Sequence, residues 1–204
     1  MPLWAVMAFS QAVQWSSQLM LGIWGSPADV ALFASAMRTA MLTSFVLVAV
    51  NSIAAPKFAA MHRKGDMEGL RRSAILSVRM MLVAAVPALI FMLLMPEWLM
   101  GLFGAEFQAA APALMILALG QFVNIATGSV GYLLSMSGHE RLLRFNAFIG
   151  AGLAVGLGVV LIPSYGLIGA AISTAVSIAV QNLLCAYQVR SVLGFNTLAF
   201  WSKV

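Results

Sequence analysis

Charge is what this sequence has least of. Only 8% of its 204 residues are Asp, Glu, Lys or Arg, against about 25% in a soluble domain. Hydrophobic residues make up 62% and the mean hydropathy is +0.99, so a surface in contact with water is excluded and lipid is the matching solvent. Cysteine is nearly absent. The lone Cys185 rules out an intramolecular disulfide and reads as a small buried or lipid-facing residue. There are only six acidic residues and two histidines. His62 and His139 fall in different polar gaps, and His139-Glu140 is followed at 143 by Leu, not by the second histidine of a zinc-protease motif. No paired carboxylates, metal-ligand cluster or phosphate-binding glycine loop is present, so an enzyme, a metal site and a cofactor are not expected. Residues 1–25 contain no Lys or Arg, and a secretory signal with its basic n-region is likewise not expected.

What the sequence does have is long apolar runs. A membrane helix needs about 20 mostly apolar residues to cross about 30 Å of hydrocarbon. Six runs qualify, at about 3–24, 30–56, 80–99, 111–137, 143–163 and 167–189, followed by a tail at 191–204. The breaks carry turn chemistry: Gly25-Ser26-Pro27, Pro56 with the basic stretch after it, Pro96-Glu97, Gly138-His139 and Pro163-Ser164-Tyr165-Gly166. The expected fold class is an all-α integral membrane bundle of about six transmembrane helices.

The net charge of +5 and pI of about 10.0 would suit nucleic acid, but the distribution does not. Ten of the eleven Lys and Arg residues lie in alternate gaps and the tail. Lys57, Arg63, Lys64, Arg71, Arg72 and Arg79 follow the second run, Arg141 and Arg144 follow the fourth, and Arg190 and Lys203 close the chain. The intervening gaps hold Asp29, Glu97 and Glu106. By the positive-inside rule both termini are cytoplasmic, which demands an even number of spans. The segment 57–79 interleaves its charges with apolar residues. It reads either as an amphipathic helix on an anionic membrane surface or as a solvated basic loop.

Uncharged polar and small residues recur at helical spacing inside the runs: Ser10, Gln11, Gln14, Ser17 and Gln18; Gln121, Asn124, Gly128, Gly131 and Ser135; Ser173, Ser177 and Gln181, with Thr174 and Asn182 beside them. Steps of three and four place each set on one helix face. An amide facing lipid has no partner, so these faces turn either to a polar cavity or to helix–helix hydrogen bonds. The candidate cavity residues are Arg38, Gln11, Gln14, Gln18, Gln121, Asn124, Ser177 and Gln181. Arg38, inside the second run, either meets an anionic substrate group or snorkels outward toward Asp29. Small-xxx-small pairs at Gly131/Ser135, Gly152/Gly156 and Gly169/Ser173 predict close helix packing. Pro87 predicts a kink in the third run.

Several local patterns follow one another in order. They are Met20-Leu21-Gly22 before Ala31, Ala36 and Arg38; Ala55-Pro56-Lys57-Phe58 before Lys64-Gly65-Asp66 and Leu70-Arg71-Arg72; Leu102-Phe103-Gly104-Ala105-Glu106-Phe107 before Ala109-Ala110-Ala111-Pro112; Ile116-Leu117-Ala118-Leu119-Gly120-Gln121 before Gly138-His139-Glu140-Arg141; and the stretch 161–172. Together, over about residues 2–197, the chain resembles the C-terminal half of polysaccharide exporters and O-antigen flippases, members of the multidrug/oligosaccharidyl-lipid/polysaccharide exporter superfamily. The resemblance implies one lobe of a two-lobe transporter in the bacterial inner membrane. Such transporters move polyprenyl-diphosphate-linked oligosaccharide between leaflets by alternating access, and Arg38 is the one cation that matches a diphosphate contact. It also implies a partner, either a missing N-terminal lobe or a second copy. Members often carry an acidic residue near the end of the first span, where this chain has Ser17 and Gln18. Two other readings stand beside the flippase: a cation-coupled multidrug antiporter, and a non-transporting remnant or assembly subunit. Membrane lipid and lipid-linked oligosaccharide are the expected contacts; nucleic acid is not.

Overall fold

The structure, a computed structural model, describes residues 4–195 and 197, with side chains from residue 11 onward except at 12 and 14. The outer residues of the 191–204 tail, Lys203 among them, lie outside the described residues. Among the described residues all regular structure is helical. In chain order the helices are α1 (Trp4–Trp24), α2 (Pro27–Met41), α3 (Ser44–Arg63), α4 (Met67–Leu94), α5 (Pro96–Gly101), a 3-10 turn (Ala105–Ala110), α6 (Ala111–Thr127), α7 (Val130–Met136) and α8 (Glu140–Leu193). Four helical stretches among the described residues are long and apolar enough to cross a membrane: α3, α4, Ala105–Thr127 and α8. Helix α8 alone has 54 residues, about 80 Å of helix at about 1.5 Å per residue. That is twice a bilayer, and it is bent into two arms at Gly166.

The expected breaks hold at some places and fail at others. Gly25-Ser26-Pro27 does separate α1 from α2. Ser26 caps α2 through a reciprocal box: the Asp29 amide donates to Ser26 Oγ at 3.2 Å, and the Ser26 amide donates to Asp29 Oδ2 at 3.0 Å. The second run, by contrast, does not stop at Pro56. Helix α3 passes through it to Arg63, because a proline removes one backbone bond and bends the helix while the next turn still buries Phe58. The interruption lies instead at Leu42-Thr43, where the Thr43 hydroxyl donates to the Ala40 carbonyl at 2.7 Å. This is a side chain competing with the helix ladder. The segment 57–79 is not one surface helix. It is the end of α3, a turn at 64–66 and the first half of α4. The third run therefore begins helically at Met67, and α4 continues past Pro87 to Leu94. The fourth run is cut into α6 and α7 at Gly128-Ser129. Pro163-Ser164-Tyr165 stays helical, and only Gly166 leaves helical geometry (φ 51, ψ −125).

The cap carries a pH signature. The Ser26 backbone amide, then its hydroxyl, hold the Asp29 carboxyl below the ordinary 3.8. A depressed carboxyl stabilises the fold above its unfolded value and loses that contribution as pH falls through the folded value. Ser26→Ala is therefore expected to lower stability at pH 7 by about 1 kcal/mol, typical of a lost cap. The gap to the parent should shrink below pH 4. Thermal melts of the detergent-solubilised protein at pH 7 and pH 3 check this.

The two larger apolar clusters among the described residues occupy opposite ends of the bundle. One joins Leu21, Phe33, Met100, Leu114, Leu117 and Ile162 near the loops that follow α1, α4 and the first arm of α8. The other joins Phe58, Leu70, Leu134, Cys185 and Val189 near the basic turns. Close approach is made by Gly120, where an added Cβ would lie 2.8 Å from the Ala175 Cα. Gly150 and Gly158 make room instead for side chains, those of Gln181 and Met20. Of the expected small-residue pairs, Gly169 and Ser173 are buried, and Gly131 makes ordinary contact with Leu143. Gly152 and Gly156 are exposed with nothing within 4 Å. Their spacing on α8 faces outward and packs no helix of the described bundle.

Candidate functional site

Between the two cores, at mid-height, the bundle turns polar. Gln121 of α6 is 4% exposed. Its Oε1 accepts from Ser44 Oγ at 2.9 Å and from Asn124 Nδ2 at 3.2 Å. These groups line a cavity of about 200 Å³, together with Gln181 and Asn182 of α8 and the apolar Val13, Met41 and Ile178. Five helices, α1, α2, α3, α6 and α8, thus converge on one small polar space. Ser44 reaches it because the interruption at Leu42-Thr43 starts a new helix there. Gln121 and Asn124 reach it because three residues return to the same face.

A second hollow of about 150 Å³ lies alongside, lined by Trp15, Gln18, Ala34, Met37 and Arg38, with Met41 shared between the two. Arg38 is exposed and Gln18 half-buried. Asp29 is engaged by Ser26 and stands nine residues from Arg38, about 13 Å along the helix, so the outward pairing is not what the structure shows. Gln11 is exposed, and the Gln14 side chain lies outside the described residues.

Other predicted residues do something different. Ser177 is fully buried and donates to the Ser173 carbonyl at 2.6 Å, inside its own helix. Ser17, named as part of a stripe on α1, is buried. It accepts from Thr174 Oγ1 at 2.7 Å and lies 3.2 Å from Ser173 Oγ, joining α1 to α8 as packing. Among the candidates, then, Gln121, Asn124 and Gln181 share one cavity. Gln18 and Arg38 share its neighbour, and Ser177 lines neither.

Two polar contacts were not singled out from the sequence. Asn146 and Gln188, in the two arms of α8, exchange amide bonds at 2.7 and 2.9 Å. The Cys185 sulfur also accepts from Asn146 at 3.2 Å. Ser129, at the α6–α7 break, donates to the Asn51 side-chain oxygen. Each is a solitary amide in an apolar run, and the only signal was its cost if left alone in lipid. All six acidic residues stand at helix ends or in turns: Asp29, Asp66, Glu68, Glu97, Glu106 and Glu140. No carboxylate lines either hollow. Among the described residues no group of three or more His, Cys, Asp or Glu is placed to hold a metal.

Comparison with known proteins agrees with this architecture. Residues 2–160 match the family model described as MatE. The chain is 28% identical over 178 residues to the probable low-salt glycan biosynthesis flippase Agl15 of Haloferax volcanii, covering 87% of this chain and 38% of that protein. It is 28% identical over 141 residues to the uncharacterized membrane protein MJ1068 of Methanocaldococcus jannaschii, covering 68% of this chain and 28% of that one. Among solved structures, a MATE crystal structure in the bent conformation superposes with a TM-score of 0.71 at 26% identity, over 98% of this chain and 47% of that one. A MOP superfamily transporter from Pyrococcus furiosus gives 0.67 at 25% identity, over 90% and 42%. The chain thus spans less than half the length of each of these relatives.

Proposed function

The chain belongs to the MatE family of membrane transporters, and from that premise we propose that it is one lobe of a flippase for polyprenyl-diphosphate-linked oligosaccharide. One observation supports this reading above the others. The mid-height hollows offer neutral amides, a hydroxyl and one guanidinium, with no carboxylate. Amides and hydroxyls exchange hydrogen bonds with sugar hydroxyls, and a guanidinium matches a diphosphate with paired donors. A cation-coupled antiporter needs an intramembrane carboxylate to carry the ion, and this lobe supplies none. The name of the Haloferax relative, a glycan biosynthesis flippase, points the same way.

In this reading six crossings are made by α1, α2 with α3, α4, α6 with α7, and the two arms of α8. The basic turns and both termini face the cytoplasm, and the membrane is the bacterial inner membrane. A second lobe, from a longer chain or a second copy, closes the cavity. Alternating access then rocks the two lobes about the mid-height site, where membrane transporters place substrate.

Removal of the transporter is expected to strand lipid-linked oligosaccharide on the cytoplasmic leaflet, read by surface labelling of the glycan. Normal delivery to the outer leaflet would refute the flippase. Proton-driven dye efflux from vesicles would favour the antiporter. Accessibility labelling tests the topology separately: residues 64 and 106 should react from opposite faces.

A further inference from the structure

A groove of about 360 Å³ runs between α3 and α4 on the outside of the bundle, away from both hollows. Its walls are antiparallel. Lys57 and Ser73 stand at the end near the turn at 64–66, Ile53 and Leu76 midway, and Val50 and Met80 at the far end. The chemistry therefore changes along the groove, from Lys57 and the Ser73 hydroxyl, past a Ser77 hydroxyl that is spent on the Ser73 carbonyl, to the apolar Ala49, Val50 and Met80. Ile53, Leu76 and Met80 on its rim are 64%, 56% and 54% exposed, over a floor of buried Ala54, Phe58 and Ser77, so the groove is open to whatever surrounds the protein. From Ala49 to Lys57 is eight residues, about 12 Å of helix, close to one leaflet's share of the about 30 Å hydrocarbon core. No carboxylate lines it. Arg63 and Lys64 lie exposed at the same end, where cations draw anionic headgroups.

We infer that this groove is a binding site for one acyl chain of an anionic phospholipid, with the phosphate held at Lys57. The polarity gradient is that of a lipid standing in a leaflet, headgroup at the basic turn and chain along Ile53, Leu76 and Met80. A second protein lobe covering the groove would have to bury Lys57, and a buried unpaired ammonium is costly. The inference requires only that α3 and α4 stand in lipid, so it holds or fails independently of the transported substrate.

The test uses the purified chain in phosphatidylcholine nanodiscs. They contain trace phosphatidylglycerol whose acyl chain carries a photoreactive diazirine, and cross-links are mapped by mass spectrometry. Cross-links are expected to be enriched several-fold at Ile53, Leu76 and Met80 over the exposed Val83, Leu94 and Val159. A phosphatidylcholine probe of the same chain should show no such enrichment. Lys57→Gln should bring the two probes level, and Ala49→Trp, which fills the deep end, should abolish the enrichment. Equal enrichment of both probes on the unsubstituted chain would overturn the headgroup contact. Uniform labelling of all lipid-facing helices would overturn the site. Labelling at the groove weaker than at Val83 would show that protein covers it and would overturn the site as well. The comparison of probes on the unsubstituted chain decides the matter even where a variant misfolds.

Discussion

Gly128→Ala is expected to be among the most damaging single-methyl changes in the bundle, lowering stability by about 2–6 kcal/mol. Two independent costs combine. Gly128 is buried and ends α6 at φ 75, ψ −143, a region that side chains rarely adopt, at about 1–3 kcal/mol. An added Cβ would also overlap the Val78 Cγ2 of α4, and overpacking costs about 1–3 kcal/mol more. The neighbouring Ser129 bond to Asn51 ties the same break to α3, so the bend has little room to relax. The two parts separate by experiment. Val78→Ala in the Gly128→Ala background should recover the overlap but not the backbone strain, leaving a double mutant more stable than the two single effects predict. Chemical or thermal unfolding in detergent reads this. Strict additivity, or a Gly128→Ala protein as stable as the parent, would count against the account.

The second large effect concerns transport and rests on the proposed substrate. Arg38→Gln is expected to slow delivery of diphosphate-linked oligosaccharide roughly 10- to 100-fold, since a hydrogen bond to a charged group contributes about 1.5–3 kcal/mol. Arg38→Lys should keep the charge but lose the fork, and so fall between the two. Neither change should move thermal stability, because Arg38 is exposed and surface substitutions usually stay within about 0.5 kcal/mol. Undiminished delivery by Arg38→Gln would remove Arg38 from the substrate path and leave Gln18, Gln121, Asn124 and Gln181 as the remaining candidates.

How much of this was legible beforehand depended on the physics behind each signal. The all-α membrane class followed from composition, because lipid tolerates so little charge. The break between α1 and α2 was readable because Gly25-Ser26-Pro27 carries turn chemistry, and Ser26 and Asp29, three positions apart, form their box with no help from elsewhere. Gln121, Asn124 and Gln181 were readable as a polar face, but periodicity names a face and not its partner. Ser177 has the same spacing as Gln181 and only bonds its own helix. Pro56 misled because the strength of proline as a helix breaker depends on what the next turn buries. Leu42-Thr43 was missed because neither residue is a recognised breaker. The pairing of Asn146 with Gln188 spans 42 positions, a distance no local pattern encodes.

That last pair bears on how the polypeptide enters the bilayer. The first arm of α8 arriving alone would carry the Asn146 amide without its Gln188 partner. Two arms arriving together, joined at the Gly166 bend, neutralise each other's burden. Biogenesis is therefore favoured when the final 54-residue helix leaves the insertion machinery as a preassembled hairpin. A chain that stopped at residue 165 would leave Asn146, two residues from Arg144, without the amide it pairs with.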